Sequence, residues 1–295
     1  MNNAYEPIMR SLLFVPAHVD KFFDKAIKSE ADALILDLED SVPEDKKMSA
    51  RNSLRRRLVS QKFKVPILVR INARATGLLR EDIEKTALPA VQGFVVPKVI
   101  NMSDIAYVDA ILQKCEKRHN IRIGTFVIFP LIETAEAVLN VLSIARSSKR
   151  IRGLIFGHED YLHNMRALHT DNAGNLLFPR TMIAMAARAA GCCPIDTPYL
   201  DIKNLDGCAQ HVKESRAIGF SGMLVLHPMQ IDIANKGYAP SQEEVARAKR
   251  IVSLNQAASK NNRSIVFVEG KFIAPPILKQ AELILRMSEM IRKKA

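Results

Sequence analysis

Eight short apolar runs recur along the chain, at residues 11–16, 33–38, 67–71, 93–97, 124–130, 153–156, 194–202 (the weakest) and 223–227. The second shows the pattern: Ala33-Leu34-Ile35-Leu36-Asp37-Leu38-Glu39-Asp40 is apolar until three acids crowd its last four positions. A run of this length, with a turn-former such as Pro43 just beyond, reads as a strand buried on both faces of a parallel sheet. Segments of helical period fill the intervals, near 21–30, 48–60, 80–88, 103–118, 134–147, 180–190, 206–217 and 242–259. A strand followed each time by a helix predicts right-handed crossovers and a parallel sheet. Eight such units predict closure into an α/β (β/α)8 TIM barrel, which at roughly 250 residues fits within a chain of 295. A doubly wound open sheet is the alternative, but no glycine-rich phosphate loop follows the first run.

Beyond residue 260 the pattern changes. Lys260-Asn261-Asn262-Arg263 reads as a solvated linker, followed by a strand-like piece at 265–268, a turn at Glu269-Gly270-Lys271 and the breaker Pro275-Pro276. An amphipathic helix then runs from Ile277 to about Arg292, with Ile277, Leu278, Ala281, Leu285, Met287 and Met290 at helical spacing. The expected division is a catalytic barrel over 1–260 and a C-terminal helical extension over 261–295. That extension docks on its own barrel or on a neighbouring subunit.

The net charge of +12 invites an anionic partner, and clusters such as Arg55-Arg56-Arg57 and Arg292-Lys293-Lys294 carry much of it. Nucleic acid is not expected, because Trp is absent, aromatics make up 6% of residues, and no zinc-finger or aromatic RNA-binding motif occurs. Cys115, Cys192, Cys193 and Cys208 have no disulfide- or zinc-like spacing, which suits a reducing compartment. No apolar run approaches the ~18 residues of a membrane span. The N-terminus shows no secretory signal, and the expectation is a cytoplasmic protein.

The ends of the runs carry the chemistry. Charged groups at the same end of successive buried strands converge on one face, at a desolvation cost that a cation or ligand must offset. Glu133 and Asp160 close the fifth and sixth runs; neighbouring strands lie roughly 5 Å apart, so both carboxylates can hold one Mg2+. Each can also serve simply to cap the next helix. Arg70 closes the third run and offers a planar fork for a carboxylate or carbonyl, or an ion pair with Asp37, Glu39 or Asp40. Arg10, before the first run, is a similar candidate for substrate binding. Lys98 closes the fourth run among carboxylates that favour an ion-paired ammonium over a Schiff-base nucleophile. His158 and His163 flank Asp160 without zinc-protease spacing and read as ordinary polar residues, while His227 is placed to hydrogen-bond at the barrel mouth.

Taken in order, Arg10-Ser11 with Phe14-Val15-Pro16, Asp37-Leu38-Glu39-Asp40-Ser41-Val42, Val69-Arg70-Ile71-Asn72, Pro97-Lys98-Val99, Leu131-Ile132-Glu133-Thr134, Gly157-x-Glu159-Asp160, Gly219-Phe220-x-Gly222, His227-Pro228-x-Gln230 and Ala239-Pro240-Ser241 resemble the citrate lyase beta subunit-like proteins of the HpcH/HpaI aldolase superfamily. The resemblance spans essentially the whole chain. It implies a (β/α)8 barrel in homotrimers or hexamers, whose extension often completes a neighbour's site. It implies Mg2+ on Glu133 and Asp160, Arg70 gripping the substrate, and an acyl thioester of coenzyme A or an acyl carrier as substrate. The reaction so implied is Claisen-type cleavage of a 3-hydroxyacyl thioester, with (S)-citramalyl-CoA going to acetyl-CoA and pyruvate as the leading expectation. Malyl-CoA cleavage and the citryl-carrier lyase of citrate lyase are alternatives. One position departs: the family's acid/base aspartate in Gly-x-Met-Ile-Asp-x-Pro falls at Ala274 of Gly270-Lys271-Phe272-Ile273-Ala274-Pro275-Pro276. Alanine cannot move a proton. Glu269, Glu39, Asp40 or a water must then do so, or the protein binds coenzyme A or a carrier without turnover.

Overall fold

The computed structural model describes residues 8–170, 174–260, 267–268 and 271–294. Eight parallel strands close in sequence order into a barrel: β1 (Ser11–Pro16), β2 (Ala33–Asp37), β3 (Ile67–Arg70), β4 (Gly93–Val96), β5 (Val127–Ile132), β6 (Gly153–Phe156), β7 (Cys193–Asp196) and β8 (Gly222–Val225), with β1 pairing β8. The helices are α1 (Asp20–Ala26), α2 (Lys47–Ser60), α3 (Leu79–Thr86), α4 (Met102–Arg118), α5 (Ala135–Leu139), α6 (Val141–Arg146), α7 (His158–Met165), α8 (Leu177–Ala190), α9 (Leu205–Ile218), α10 (Ile231–Tyr238), α11 (Gln242–Lys260) and α12 (Pro275–Lys294). The expected barrel is therefore present. None of these helices is long and apolar enough to cross a membrane.

Strand alternation decides what fills the barrel. Leu12, Ala33, Ile35, Leu68, Val95, Phe129, Leu131, Ile155, Cys193, Ile195 and Leu224 form one buried apolar cluster, with Phe14 and Val127 packed on it. Successive strand side chains point to opposite faces, so positions two residues further on continue the same inward face. After Ile35 comes Asp37, after Leu68 comes Arg70, and after Leu131 comes Glu133. The top inward layer is thus ionic by sequence, above layers that are apolar. Small residues make room for large ones across the ring. A Cβ on Gly153 would sit 2.7 Å from the Phe129 ring, so glycine is what lets that phenylalanine fill the axis.

Two boundaries depart from expectation for local reasons. Residues 134–147 form two short helices that meet at Asn140 rather than one, and β7 ends at Asp196 rather than near 202. The sequence pattern predicts no helix at 158–165, yet α7 forms there, so Asp160 lies in a helix's first turn rather than at a strand end.

The chain divides into two compact units, Met1–Asn235 and Lys236–Ala295. In the second, Ala248 and Ile251 of α11 cluster with Ile273 and with Ala281 of α12, and β9 (Phe267–Val268) pairs antiparallel with β10 (Lys271–Phe272). The expected division at 260 differs in where it puts α11. Residues 261–263, Ile265 and the turn residues Glu269 and Gly270 lie outside the described residues.

Candidate active site

Seven charged side chains gather at the carboxyl-terminal rim. Asp37 and Arg70 are register partners on β2 and β3, which sets their side chains abreast on the inward face. Arg70 Nε donates to Asp37 Oδ1 at 2.6 Å and Nη2 donates to Oδ2 at 2.7 Å, a bidentate fork. Its Nη1 faces Glu39 at 3.1 Å and Asp40 at 3.4 Å, and the guanidinium lies 4.6 Å over the Phe14 ring. The ion pairs considered for Arg70 from sequence are all made, and Nη1 is the edge with the looser partners.

Glu133 follows β5 and is buried, 2% exposed. Its Oε1 accepts a hydrogen bond from the backbone N–H of Lys98 at 2.5 Å. Lys98 has φ of 52°, the left-handed region that a lysine seldom occupies; this conformation, just past β4, brings its N–H to the carboxylate. Its ammonium lies 4.0 Å from Asp160 Oδ1. Lys98 therefore touches both acids, one through its backbone and one through its side chain. Gly157, at the head of α7, completes the packing: a Cβ there would meet Glu133 Oε2 at 2.7 Å and Leu131 Cδ2 at 2.7 Å.

The electrostatics are unbalanced. Asp37, Glu39, Asp40, Glu133 and Asp160 are met by two cations, Arg70 and Lys98, although the whole chain carries +12. Burial pushes Asp37 upward, but the Arg70 charge and hydrogen bonds outweigh it and hold the carboxyl below its ordinary value. Glu39 has weaker compensation: burial, reinforced by Asp40 and Asp37 against the pull of Arg70, raises it to about 7. Glu133 goes further, to about 8, through burial and the nearby Glu39, with the Lys98 N–H working the other way. The Lys98 ammonium is held above its usual value; partial burial opposes this, and Asp160, Glu39, Asp40 and Glu133 override it. Perturbed carboxyls of this kind concentrate at functional sites.

One candidate must be corrected. Arg10 precedes β1 and therefore sits at the amino-terminal rim, where its Nε and Nη2 bind both oxygens of the buried Asp32 at 2.7 and 2.9 Å. Its Nη1 donates to the Asn235 carbonyl. It closes the bottom of the barrel and does not meet the other candidates. Position relative to a strand's start, rather than its residue type, was the signal available. His227 caps a turn, its Nδ1 accepting from the Met229 N–H at 3.2 Å. Of the two histidines that read from the sequence as ordinary polar residues, His163 is exposed and His158 is buried. Asp37, which the sequence offers only as a possible ion-pair partner, is the residue that positions Arg70; period-two alternation along β2 marks it as inward-facing.

A family model, HpcH/HpaI aldolase/citrate lyase, matches residues 10–228. The citrate lyase subunit beta of Escherichia coli K12 is 31% identical over 282 residues, covering 95% of this chain and 93% of that protein. The mitochondrial citramalyl-CoA lyase of Rattus norvegicus is 28% identical over 308 residues, covering 99% and 89%. Among solved structures, CitE from Mycobacterium tuberculosis in complex with magnesium, acetoacetate and coenzyme A superposes with a TM-score of 0.78 at 29% identity, covering 97% of this chain and 99% of that one. The chain belongs to the HpcH/HpaI aldolase/citrate lyase family, and by that membership it is a carbon–carbon lyase.

Proposed function

We propose that this family member is a Mg2+-dependent lyase of a 3-hydroxyacyl-CoA thioester, with (S)-citramalyl-CoA, cleaved to acetyl-CoA and pyruvate, as the first substrate. The observation that carries the reading is the carboxyl of Glu133, buried beside Glu39 and Asp160 and raised to about 8. Five clustered carboxylates against two cations form a donor set that a hard divalent ion, bound by carboxylate oxygens, would relieve. Glu133 and Asp160 would hold it. When bound, the ion supplies Lewis-acid polarisation of substrate oxygens and neutralises charge that develops on them.

The chain's own residues do the rest. Arg70, fixed by Asp37, turns Nη1 toward the site to hold the carboxylate or carbonyl of the oxo-acid half. Lys98, through its backbone N–H, orients Glu133, and its ammonium adds positive charge near Asp160. Cleavage needs a base for the substrate hydroxyl proton as the carbon–carbon bond breaks and that carbon becomes the keto carbon of pyruvate. The electron pair passes to the thioester's α-carbon, which must then take up a proton. Glu39, at about 7, is matched to both transfers near neutral pH, with the neighbouring Asp40 as second candidate. Because Ala274 cannot serve, the acid–base work is assigned to this barrel pair.

The same reading takes the protein as a cytoplasmic homotrimer or hexamer that acts on thioesters of free coenzyme A, with the extension over 261–295 docked on the barrel or on a neighbour. The test is an assay of purified protein against citramalyl-, malyl- and citryl-CoA with and without Mg2+. Mg2+-dependent pyruvate release that Glu133→Gln and Arg70→Ala each lower by about 100-fold or more supports the reading. Binding of coenzyme A without turnover refutes it. The 31% identity to a citrate lyase beta subunit favours a second reading, cleavage of a citryl thioester on an acyl carrier protein. Activity of the isolated chain on free coenzyme A thioesters excludes that alternative.

A further inference from the structure

A second set of ligating side chains stands beside the carboxylate cluster and takes no part in it. His158, the first residue of α7, is buried, and its Nε2 lies 2.8 Å from Glu159 Oε1. His169, on the stretch that leaves α7, puts its own Nε2 3.3 Å from the same oxygen. The two imidazoles stand edge to face with centroids 5.9 Å apart. One ligand atom from each of the three residues lies within 4.8 Å of the others. In a tetrahedral site with bonds of about 2.0–2.1 Å, ligand atoms are separated by roughly 3.3–3.4 Å. The contacts through Glu159 fall within about 0.5 Å of that spacing, so small side-chain adjustments suffice.

The outer shell is in place as well. His158 Nδ1 is hydrogen-bonded to Thr197 Oγ1, just past the end of β7, which fixes the ring with Nε2 toward Glu159. Ligating imidazoles are held this way, by an oxygen on the nitrogen that does not bind the metal. Both imidazoles also line a cavity of about 450 Å³, whose wall carries Arg180, Tyr199 and His211.

We propose that His158, Glu159 and His169 form a binding site for a first-row divalent transition ion of the zinc type, separate from the oxygen-ligand site assigned to Glu133 and Asp160. Two imidazoles with one carboxylate suit Zn2+, Co2+ or Ni2+, whereas Mg2+ selects oxygen ligands. Three protein ligands leave a coordination position for water or a small anion. The bound ion ties the stretch carrying His169 to the head of α7.

The probe is Co2+ titrated into the untagged, metal-stripped full chain carrying Glu133→Gln, which silences the oxygen-ligand site. The expected result is an intense visible band of tetrahedral Co2+ that saturates at one ion per chain and is bleached by Zn2+. His169→Ala, at an exposed position, weakens Co2+ binding by about tenfold or more and abolishes the band, with circular dichroism unchanged. Absence of the band at stoichiometric Co2+, or its survival in His169→Ala, overturns the proposal and leaves a metal-free hydrogen-bonded trio. The readout is the ion's own spectrum, so it stands or falls independently of lyase activity.

Discussion

If Glu133 is a metal ligand, Mg2+ and a proton compete for it, and the competition falls within an accessible pH range. Its carboxyl is raised from 4.5 to about 8, so lowering the pH from 8.5 to 6.5 takes it from mostly ionised to mostly protonated. For one titrating group the ionised fraction falls from about three-quarters to about 3%, which weakens apparent Mg2+ affinity by about 25-fold, near 1.9 kcal/mol. At pH 7 the same equilibrium releases about 0.9 proton per Mg2+ bound, since binding must displace it. Isothermal titration calorimetry in buffers of different ionisation enthalpy measures both quantities at once. In Glu133→Gln the steep pH dependence and the proton release both shrink to the smaller part contributed by Glu39, raised to about 7. Affinity there drops by more than the roughly 10–100-fold that even an outer-shell substitution costs. A wild-type affinity independent of pH between 6.5 and 8.5, or a pH dependence as steep in Glu133→Gln as in wild type, refutes the reasoning.

Three further outcomes follow from the same geometry. The folded-state values of Glu133 and Glu39 lie above 4.5, at about 8 and about 7, so metal-free protein binds more protons folded than unfolded in that window. Its stability is therefore fullest at low pH, as far as these groups go, and is lost as pH rises toward 8. Glu133→Gln removes a penalty on the order of 2–4 kcal/mol at pH 8.5, read as a higher melting temperature without Mg2+ than wild type, with little change at pH 5. Gly157→Ala keeps an allowed backbone, at φ of −106°, but drives a methyl onto Glu133 Oε2. Mg2+ affinity then falls about tenfold while urea stability changes by under about 2 kcal/mol, and unaltered affinity would separate Gly157 from the site. Arg150→Met leaves Glu116, 0% exposed, without its bidentate partner at 2.7 Å, costing about 3–5 kcal/mol in a urea titration. Turnover per folded molecule stays at the wild-type level, because this network lies at the amino-terminal rim.

The carboxyl-terminal rim was legible where the sequence carries a period. The alternation of apolar and ionic positions along β2, β3 and β5 announces Asp37, Arg70 and Glu133 as an inward layer, because strand side chains alternate regardless of context. Arg10 shows the limit: an arginine flanking a strand looks the same from either end until the sheet's direction is applied. Helix α7 was hidden because its first turn, His158 to Tyr161, is the acidic motif itself, and a polar first turn carries little apolar periodicity.

The number and order of strands, the barrel class and the acidic strand ends were decided by local pattern, since burial on both faces demands continuous apolar runs and a closed sheet abolishes edges. Which acids stay ionised was decided only in three dimensions. Asp37 is held ionised by Arg70, its partner 33 residues away, while Glu133, two residues past Leu131, is raised by burial among like charges. The meeting of His158, Glu159 and His169 likewise depends on how the chain turns after α7. Side-chain type is written in the sequence, but desolvation and the company of other charges come from distant segments, and those set the chemistry.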